Sequence, residues 1–208
     1  MSSLRWFTVV LALCCCMSAR AGVIAPGPLW EEFSFIDTSD FAGGCYPNDP
    51  NGIDCLPSSS GNSQFLNAAP WTFTTTVSLD LTVTDAFLYG EAFNVYNNCD
   101  ADLDCDATPI LTTPPPVSSA LGGCGGDGSD PAVCVLDPQM SHATAVLAPG
   151  TYSIGIEPYA LDNPGAAYFL LVPTPEPRLG WFLGGAIIAL FAKQRRHGRN
   201  AGNRGGRG

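Results

Sequence analysis

The stretch 71-WTFTTTVSLDLTVT-84 decides the fold class. Its apolar residues Trp71, Phe73, Val77, Leu79, Leu81 and Val83 all fall on odd positions, and Thr72, Thr74, Thr76, Ser78, Asp80, Thr82 and Thr84 fill the even ones. Period-two alternation of this kind is the mark of a strand with one buried face. The run is long for a single strand, so a bend within Thr75–Ser78 is expected to split it.

The same pattern extends outward. The segment 86-AFLYGEAFNVYNN-98 reads as two further short strands around Gly90. The segment 142-HATAVLAPGTYSIGIEP-158 reads as strand, Pro-Gly turn, strand, with Tyr152, Ile154 and Ile156 on one face. The last strand is 166-AAYFLLV-172, and 29-LWEEFSFID-37 is the first. The segment 111-LTTPPPVSSALGG-123 is a surface loop. Before the tail there is no amphipathic helix of useful length. About seven to nine short strands separated by turns predict an all-β chain, a jelly-roll-like β-sandwich. The 13% charged residues and abundant glycine (23) and proline (18) agree with a loop-rich β body.

The 208 residues suit one domain plus targeting signals. The first 21 read as a secretory signal peptide for the Sec translocon. Arg5 is the positive start, Trp6–Met17 the apolar stretch, and Ala19-Arg20-Ala21 the small-residue cleavage site. That stretch is too short to span a bilayer comfortably. A lipoprotein site at Cys14, Cys15 or Cys16 fits poorly, because the residues just before them are Leu13, Cys14 and Cys15. Residues 22–172 form the expected extracytoplasmic domain, and 173–208 the tail.

Charge is distributed unevenly. All 19 Asp and Glu lie between Ala21 and Pro177, and none of the nine Lys and Arg does. Such a body repels phosphate backbones, which excludes nucleic acid as its partner. It contains no lysine or arginine with which to build ion pairs. Disulfides or bound divalent cations are the substitutes.

Six cysteines remain after the signal: Cys45, Cys55, Cys99, Cys105, Cys124 and Cys134. An even number in an exported chain points to disulfides, although six cysteines allow fifteen pairings that sequence alone cannot choose among. Spacing favours the local pairs Cys45–Cys55, Cys99–Cys105 and Cys124–Cys134. A zinc site is a weak rival, since there is no Cys-x-x-Cys and His142 is the body's only histidine.

In 97-NNCDADLDCDA-107, Asp100, Asp102, Asp104 and Asp106 alternate, as hard oxygen ligands do in calcium loops. Cys105 and Leu111 stand where an EF-hand needs glycine and glutamate, so this is not that motif. Calcium held in a bowl closed by Cys99–Cys105 competes here with a plain solvated acidic loop. No other cofactor is expected. The chain is also expected to be non-catalytic. No Gly-x-Ser-x-Gly elbow accompanies His142, and paired carboxylates discriminate nothing in so acidic a chain. Trp30, Tyr46, Trp71, Tyr96 and Tyr159 could form a sugar-stacking face, or fill strand cores.

The segments 71-WTFTTTVSLDLTVTDAFLYGEAFNVYNN-98 and 147-LAPGTYSIGIEPYALDNPGAAYFLLV-172 together resemble the small accessory β-sandwiches of secreted bacterial proteins. The pre-peptidase C-terminal domains are the best-known example. The resemblance covers about Trp71 to Val172, leaves out the large disulfide loops, and implies fold but not function.

The tail runs Pro175-Glu176-Pro177, an apolar stretch Leu179–Ala192, then a basic cluster beginning at Lys193. As a helix the stretch would span about 21 Å, short of a hydrocarbon core of about 30 Å. Its terminal position and the cations abutting it nonetheless favour a single transmembrane helix with a cytoplasmic basic end. This order resembles the PEP-CTERM sorting signal of Gram-negative bacteria. The resemblance implies processing by an exosortase, with Pro175, Glu176 and Pro177 as the recognised motif and Lys193, Arg195 and Arg196 as the cytoplasmic stop. It also implies a link to extracellular polysaccharide and biofilm. Arg178 departs from the small or hydroxyl residue often found after the motif, and the extension after Arg196 is longer than usual.

The expectation is therefore a non-catalytic exported protein, held first in the inner membrane and then released to the surface or extracellular matrix. The alternative is a carbohydrate-binding module of an exopolysaccharide matrix.

Overall fold

The computed structural model describes residues 22–45, 55–116, 124 and 129–175. The chain divides into two units, Met1–Thr174 and Pro175–Gly208. In the first unit the strands are β1 (Gly22–Val23), β2 (Trp30–Phe35), β3 (Gly43–Gly44), β4 (Ser63–Phe65), β5 (Trp71–Thr75), β6 (Leu79–Thr84), β7 (Ala92–Tyr96), β8 (Leu111–Thr112), β9 (His142–Leu147), β10 (Gly150–Ala160) and β11 (Gly165–Pro173). One helical turn, α1 (Pro131–Cys134), precedes β9 and is capped by the Asp130 carboxylate, which accepts the Ala132 N–H at 3.0 Å.

These strands form two sheets. One runs β1-β5-β10-β7-β8, and the other runs β3-β2-β11-β6-β9 with β4 added beside β2. The long alternating run is split as expected, and its halves go to different sheets: β5 to the first and β6 to the second. Val77 lies at the corner and is exposed, against the expectation that it continues the buried face. The corner is tied locally, with the Thr75 hydroxyl donating to the Val77 carbonyl at 2.7 Å and accepting the Val77 N–H at 3.2 Å.

The segment 142–158 makes the same crossing in the opposite direction. β9 and β10 do not pair with each other, so Pro149-Gly150 is not a hairpin turn. β9 lies antiparallel to β6, with Leu79 opposite Leu147, and β10 lies antiparallel to β5, with Thr75 opposite Gly150. Two neighbouring strands thus turn one corner together and carry the chain from sheet to sheet. Threonine pairs mark both ladders on their outer faces, Thr74 with Thr151 at 3.1 Å and Thr82 with Thr144 at 2.8 Å. The second half of β10 leaves β5 and pairs with β7. Only one of the two strands expected around Gly90 forms. Ala86–Gly90 is a turn, and Gly90 has φ +140°, a conformation that glycine accepts without strain.

The inner faces meet in an aromatic core. Phe33 lies edge-on to Phe93 at 5.3 Å and beside Trp71 at 6.1 Å, and Trp71 packs on Phe169 at 5.6 Å. Phe33 and Phe169 belong to one sheet and Trp71 and Phe93 to the other, so these contacts hold the two layers face to face. The Trp71 indole is fully buried, and its N–H donates to the Asn67 carbonyl at 2.7 Å.

β2 departs from one-sided alternation, because all six of its residues are buried. Phe33 and Phe35 face the inner core. Trp30, on the opposite face, joins a second cluster with Ala86, Cys124, Cys134, Met140 and Tyr168. Part of the outer face of the second sheet is therefore covered by the cysteines of the Cys124–Cys134 bridge with Ala86 and Met140. The structure joins Cys45 to Cys55, Cys99 to Cys105 and Cys124 to Cys134, with Cα separations of 5.6, 4.0 and 5.1 Å. Closing loops this short stabilises the fold by about 2–3 kcal/mol each in the chain-entropy account. β11 runs on to Pro173, and the Thr174 N–H donates to the Ser78 carbonyl at 2.9 Å. Among the described residues no helix is long and apolar enough to cross a membrane, and the stretch Leu179–Ala192 lies outside them.

Trp71→Ala should cost about 3–5 kcal/mol in urea unfolding. Val77→Thr should change stability by no more than about 0.5 kcal/mol. A large loss at Val77 would contradict the corner.

Candidate functional site

Asp85 follows β6 directly, and its backbone N–H is held by the Ser141 carbonyl at 2.8 Å. Its carboxyl closes the turn ahead of it. Oδ1 accepts the Ala86 N–H at 2.8 Å, and Oδ2 accepts the Glu91 N–H at 3.3 Å. Inside the turn Phe87 has φ +62°, an unusual conformation for a bulky residue, and its N–H donates to the Ser129 hydroxyl at 2.6 Å. Gly90 is packed against Asp162 so closely that a Cβ there would stand 2.8 Å from Asp162 Oδ2.

The turn returns the Glu91 side chain onto the Asp85 carboxyl, and both residues are buried. Burial, followed by the neighbouring Glu91 charge, raises Asp85 above the usual carboxylate range; burial raises Glu91 as well. Two carboxyl groups this close in a dry site do not both ionise, so the pair retains a proton at neutral pH. Glu91 also lines a cavity of about 360 Å³, walled by Phe35, Leu56, Phe87, Leu88 and Pro164. That volume is at the small end of ligand pockets.

Two further acids are buried on β2. Glu31 Oε1 accepts from the Gln64 amide at 2.6 Å, while Oε2 has no partner among the described residues. Glu32 is fully buried, and among the described residues neither oxygen makes a hydrogen bond of full geometry; the Leu56 backbone N–H still favours its charged form, against burial. Burial pushes the Glu32 carboxyl up to about 8. Burial, with the Glu32 charge second, also raises the Tyr168 hydroxyl. A metal does not answer for Glu32. The sulfurs of Cys45 and Cys55 lie within 4.8 Å of its carboxylate, but they are tied to each other as a disulfide.

The residues singled out in the sequence fall elsewhere. Asp100 Oδ1 is spent on its own loop, accepting the N–H groups of Asp102 and Asp104 at 2.9 and 3.0 Å. Asp106 accepts from the Asn98 amide at 2.8 Å. No three of Asp100, Asp102, Asp104 and Asp106 bring oxygens within 4.8 Å of one another. His142 Nδ1 lies 2.9 Å from the Met140 carbonyl, on an edge strand. Trp30 and Trp71 are buried, so they form core and not the sugar-stacking face considered for them. Tyr96 packs against Phe41 at 5.8 Å. Tyr159 is partly exposed, with its hydroxyl donating to the Thr113 carbonyl at 2.6 Å. Tyr46 lies outside the described residues, as do Glu176, Pro177, Lys193, Arg195 and Arg196; Pro175 is described and exposed.

The acid pair and its cavity were missed in the sequence. The available signal was 85-DAFLYGE-91, an apolar segment bracketed by two acids in a body without lysine or arginine. In comparisons with protein-family models, with curated proteins and with solved structures, nothing matches this chain.

Buried acids of this kind fix the sign of the pH dependence. Their folded-state values lie above those of the unfolded chain. Their contribution to stability is therefore complete below pH of about 4 and is lost as pH rises through the folded value, about 8 for Glu32. The melting temperature should fall between pH 5 and pH 9 at fixed ionic strength, and Glu32→Gln should flatten that fall. A melting temperature that rises across this interval would contradict the assignment.

Proposed function

We propose that this chain is a non-catalytic exported protein, a jelly-roll-like body delivered to the cell surface or extracellular matrix by exosortase-type sorting. The observation that carries the reading is the order of parts along the chain. A disulfide-linked β body without lysine or arginine is followed by Pro175-Glu176-Pro177, an apolar stretch and a basic cluster. Three disulfides in one small body suit an oxidising compartment. The signal at 1–21 would take the chain across the inner membrane by the Sec translocon, and Leu179–Ala192 would hold it there.

The tail asks for three separable contributions. The apolar stretch partitions into the bilayer, and Lys193, Arg195 and Arg196 resist translocation. Pro-Glu-Pro presents an extended segment between body and membrane, because proline disfavours helix in the residue before it and lacks an N–H. An exosortase active site would receive that open segment.

Replacing Pro175-Glu176-Pro177 with Ala-Ala-Ala should block shortening and leave the chain bound to the membrane. Deleting residues from Leu179 onward should release the body straight after translocation. Intact masses of membrane, surface and medium fractions distinguish the two. A triple-alanine chain trimmed like wild type would show the tail to be an ordinary anchor.

A further inference from the structure

We infer that the Cys45–Cys55 bridge is an exchangeable disulfide, opened and re-formed by a dithiol partner, with the Glu32 carboxyl as its proton donor and acceptor. Three observations carry this. First, Glu32 is fully buried on β2, and a carboxyl oxygen lies within 4.8 Å of both bridge sulfurs. Among the described residues no other carboxyl is grouped in this way with both sulfurs of a bridge. Second, neither Glu32 oxygen makes a hydrogen bond of full geometry among the described residues. Burial favours its acid form and the Leu56 N–H favours its carboxylate, so a proton can leave and return. Third, the two sulfurs differ in access. Cys45 is fully buried, whereas Cys55 is half-buried. Cys124 and Cys134 are both buried, which shields their bridge from a dissolved thiol.

These features set the order of events. A thiolate of the dithiol attacks Cys55 Sγ, the accessible sulfur, and forms a mixed disulfide there. The Cys45–Cys55 bond breaks, and its electron pair goes to Cys45 Sγ. A thiolate left in a buried site is unfavourable, so Glu32 passes its proton to Cys45 Sγ as the bond breaks. The partner's second thiolate then attacks the partner sulfur of the mixed disulfide and expels Cys55. Solvent re-protonates Cys55 and Glu32. Two protons have left the dithiol and two have ended on Cys45 and Cys55; the dithiol is oxidised to its own disulfide and the bridge is reduced. Oxidation by the partner's disulfide form runs the same steps backwards, with the Glu32 carboxylate taking the Cys45 proton. Cys45 keeps its place when the bond is open. Its N–H donates to the Leu66 carbonyl at 3.0 Å, and Gly44 before it sits so close to Asn67 that a Cβ there would stand 2.5 Å from the Asn67 carbonyl. Neither cysteine belongs to the inner core or to the Trp30–Tyr168 cluster, so opening the bridge spares both.

Reduction of the purified full chain by dithiothreitol, quenched by alkylation and read by mass for each cysteine pair, tests this. At pH 7 without denaturant, Cys45–Cys55 should open about ten-fold or more faster than Cys99–Cys105 or Cys124–Cys134. The sharper readout is the rate divided by the thiolate fraction of dithiothreitol, followed from pH 6 to pH 9. It should fall as pH rises through the Glu32 value of about 8, because the proton donor is lost. Loosening of the fold by a buried charge predicts the reverse, since stability lost at high pH exposes the bridge. The titratable group facing Glu32 from β11 is the Tyr168 hydroxyl, which burial raises and which stays protonated throughout. β3 and β4 bring none. Glu31 is the neighbouring acid along β2, so Glu31→Gln is the control and should keep the fall. Glu32→Gln should abolish the fall and slow opening at pH 7 by about ten-fold or more. A normalised rate that is flat or rises with pH in the wild type would overturn the proposal. So would three bridges that open together, or a fall that persists in Glu32→Gln. The wild-type profile decides the matter even where Glu32→Gln does not fold.

Discussion

A folded body that contains acids but neither lysine nor arginine cannot settle its electrostatics with ion pairs, and much of this structure follows from that constraint. Glu31, Glu32, Asp85 and Glu91 are all buried. Moving an isolated carboxylate out of water costs far more than a protein of this size can spare, so such a group keeps its proton instead. Asp85 and Glu91 do so by sharing a site. Glu32 does so with no hydrogen bond of full geometry among the described residues. Neutral acids are thus part of how the interior is built, and their cost is deferred to high pH.

Cohesion then has to come from sources that are indifferent to charge. The aromatic core between the sheets supplies most of it, through Phe33, Trp71, Phe93 and Phe169. The paired crossing of β5–β6 and β9–β10 ties the two layers along one corner. On the outer face of the second sheet, the segment bearing Cys124–Cys134 brings residues against Trp30 and Tyr168. The Cys124–Cys134 disulfide therefore closes a loop and also holds in place part of the cover of a second, smaller core. The same covered region borders the acid-pair turn, since Ala86 belongs to that cluster and Phe87 packs against it.

The sequence made the strands legible because period-two alternation is a local property, visible in Trp71–Val83 without knowledge of what lies opposite. Local cysteine spacing and the chain's charge asymmetry were legible for the same reason. The partners of strands were not. Pro149-Gly150 resembles a hairpin turn, yet the strands on either side belong to different sheets, and only the packing of β9 on β6 decides that. Val77 fits the alternation but falls at the corner. β2 is buried on both faces because distant segments cover its outer side, which no pattern inside Trp30–Phe35 announces. The candidate site was hidden differently. Asp85 and Glu91 look like ordinary surface acids until the turn folds Glu91 back onto Asp85. The conspicuous run Asp100–Asp106 spends part of its oxygen on its own loop.

With no lysine or arginine to meet them, Glu32 and the Asp85–Glu91 pair should keep protons in the folded protein at neutral pH, while the aromatic core holds the sheets together. Infrared spectroscopy reads this directly, because a protonated carboxyl has a C=O stretch well separated from carboxylate and amide bands. The folded protein at pH 7 should show that band, it should disappear on unfolding at the same pH, and Glu32→Gln should diminish it. A folded protein at pH 7 with no protonated-carboxyl band would contradict the account.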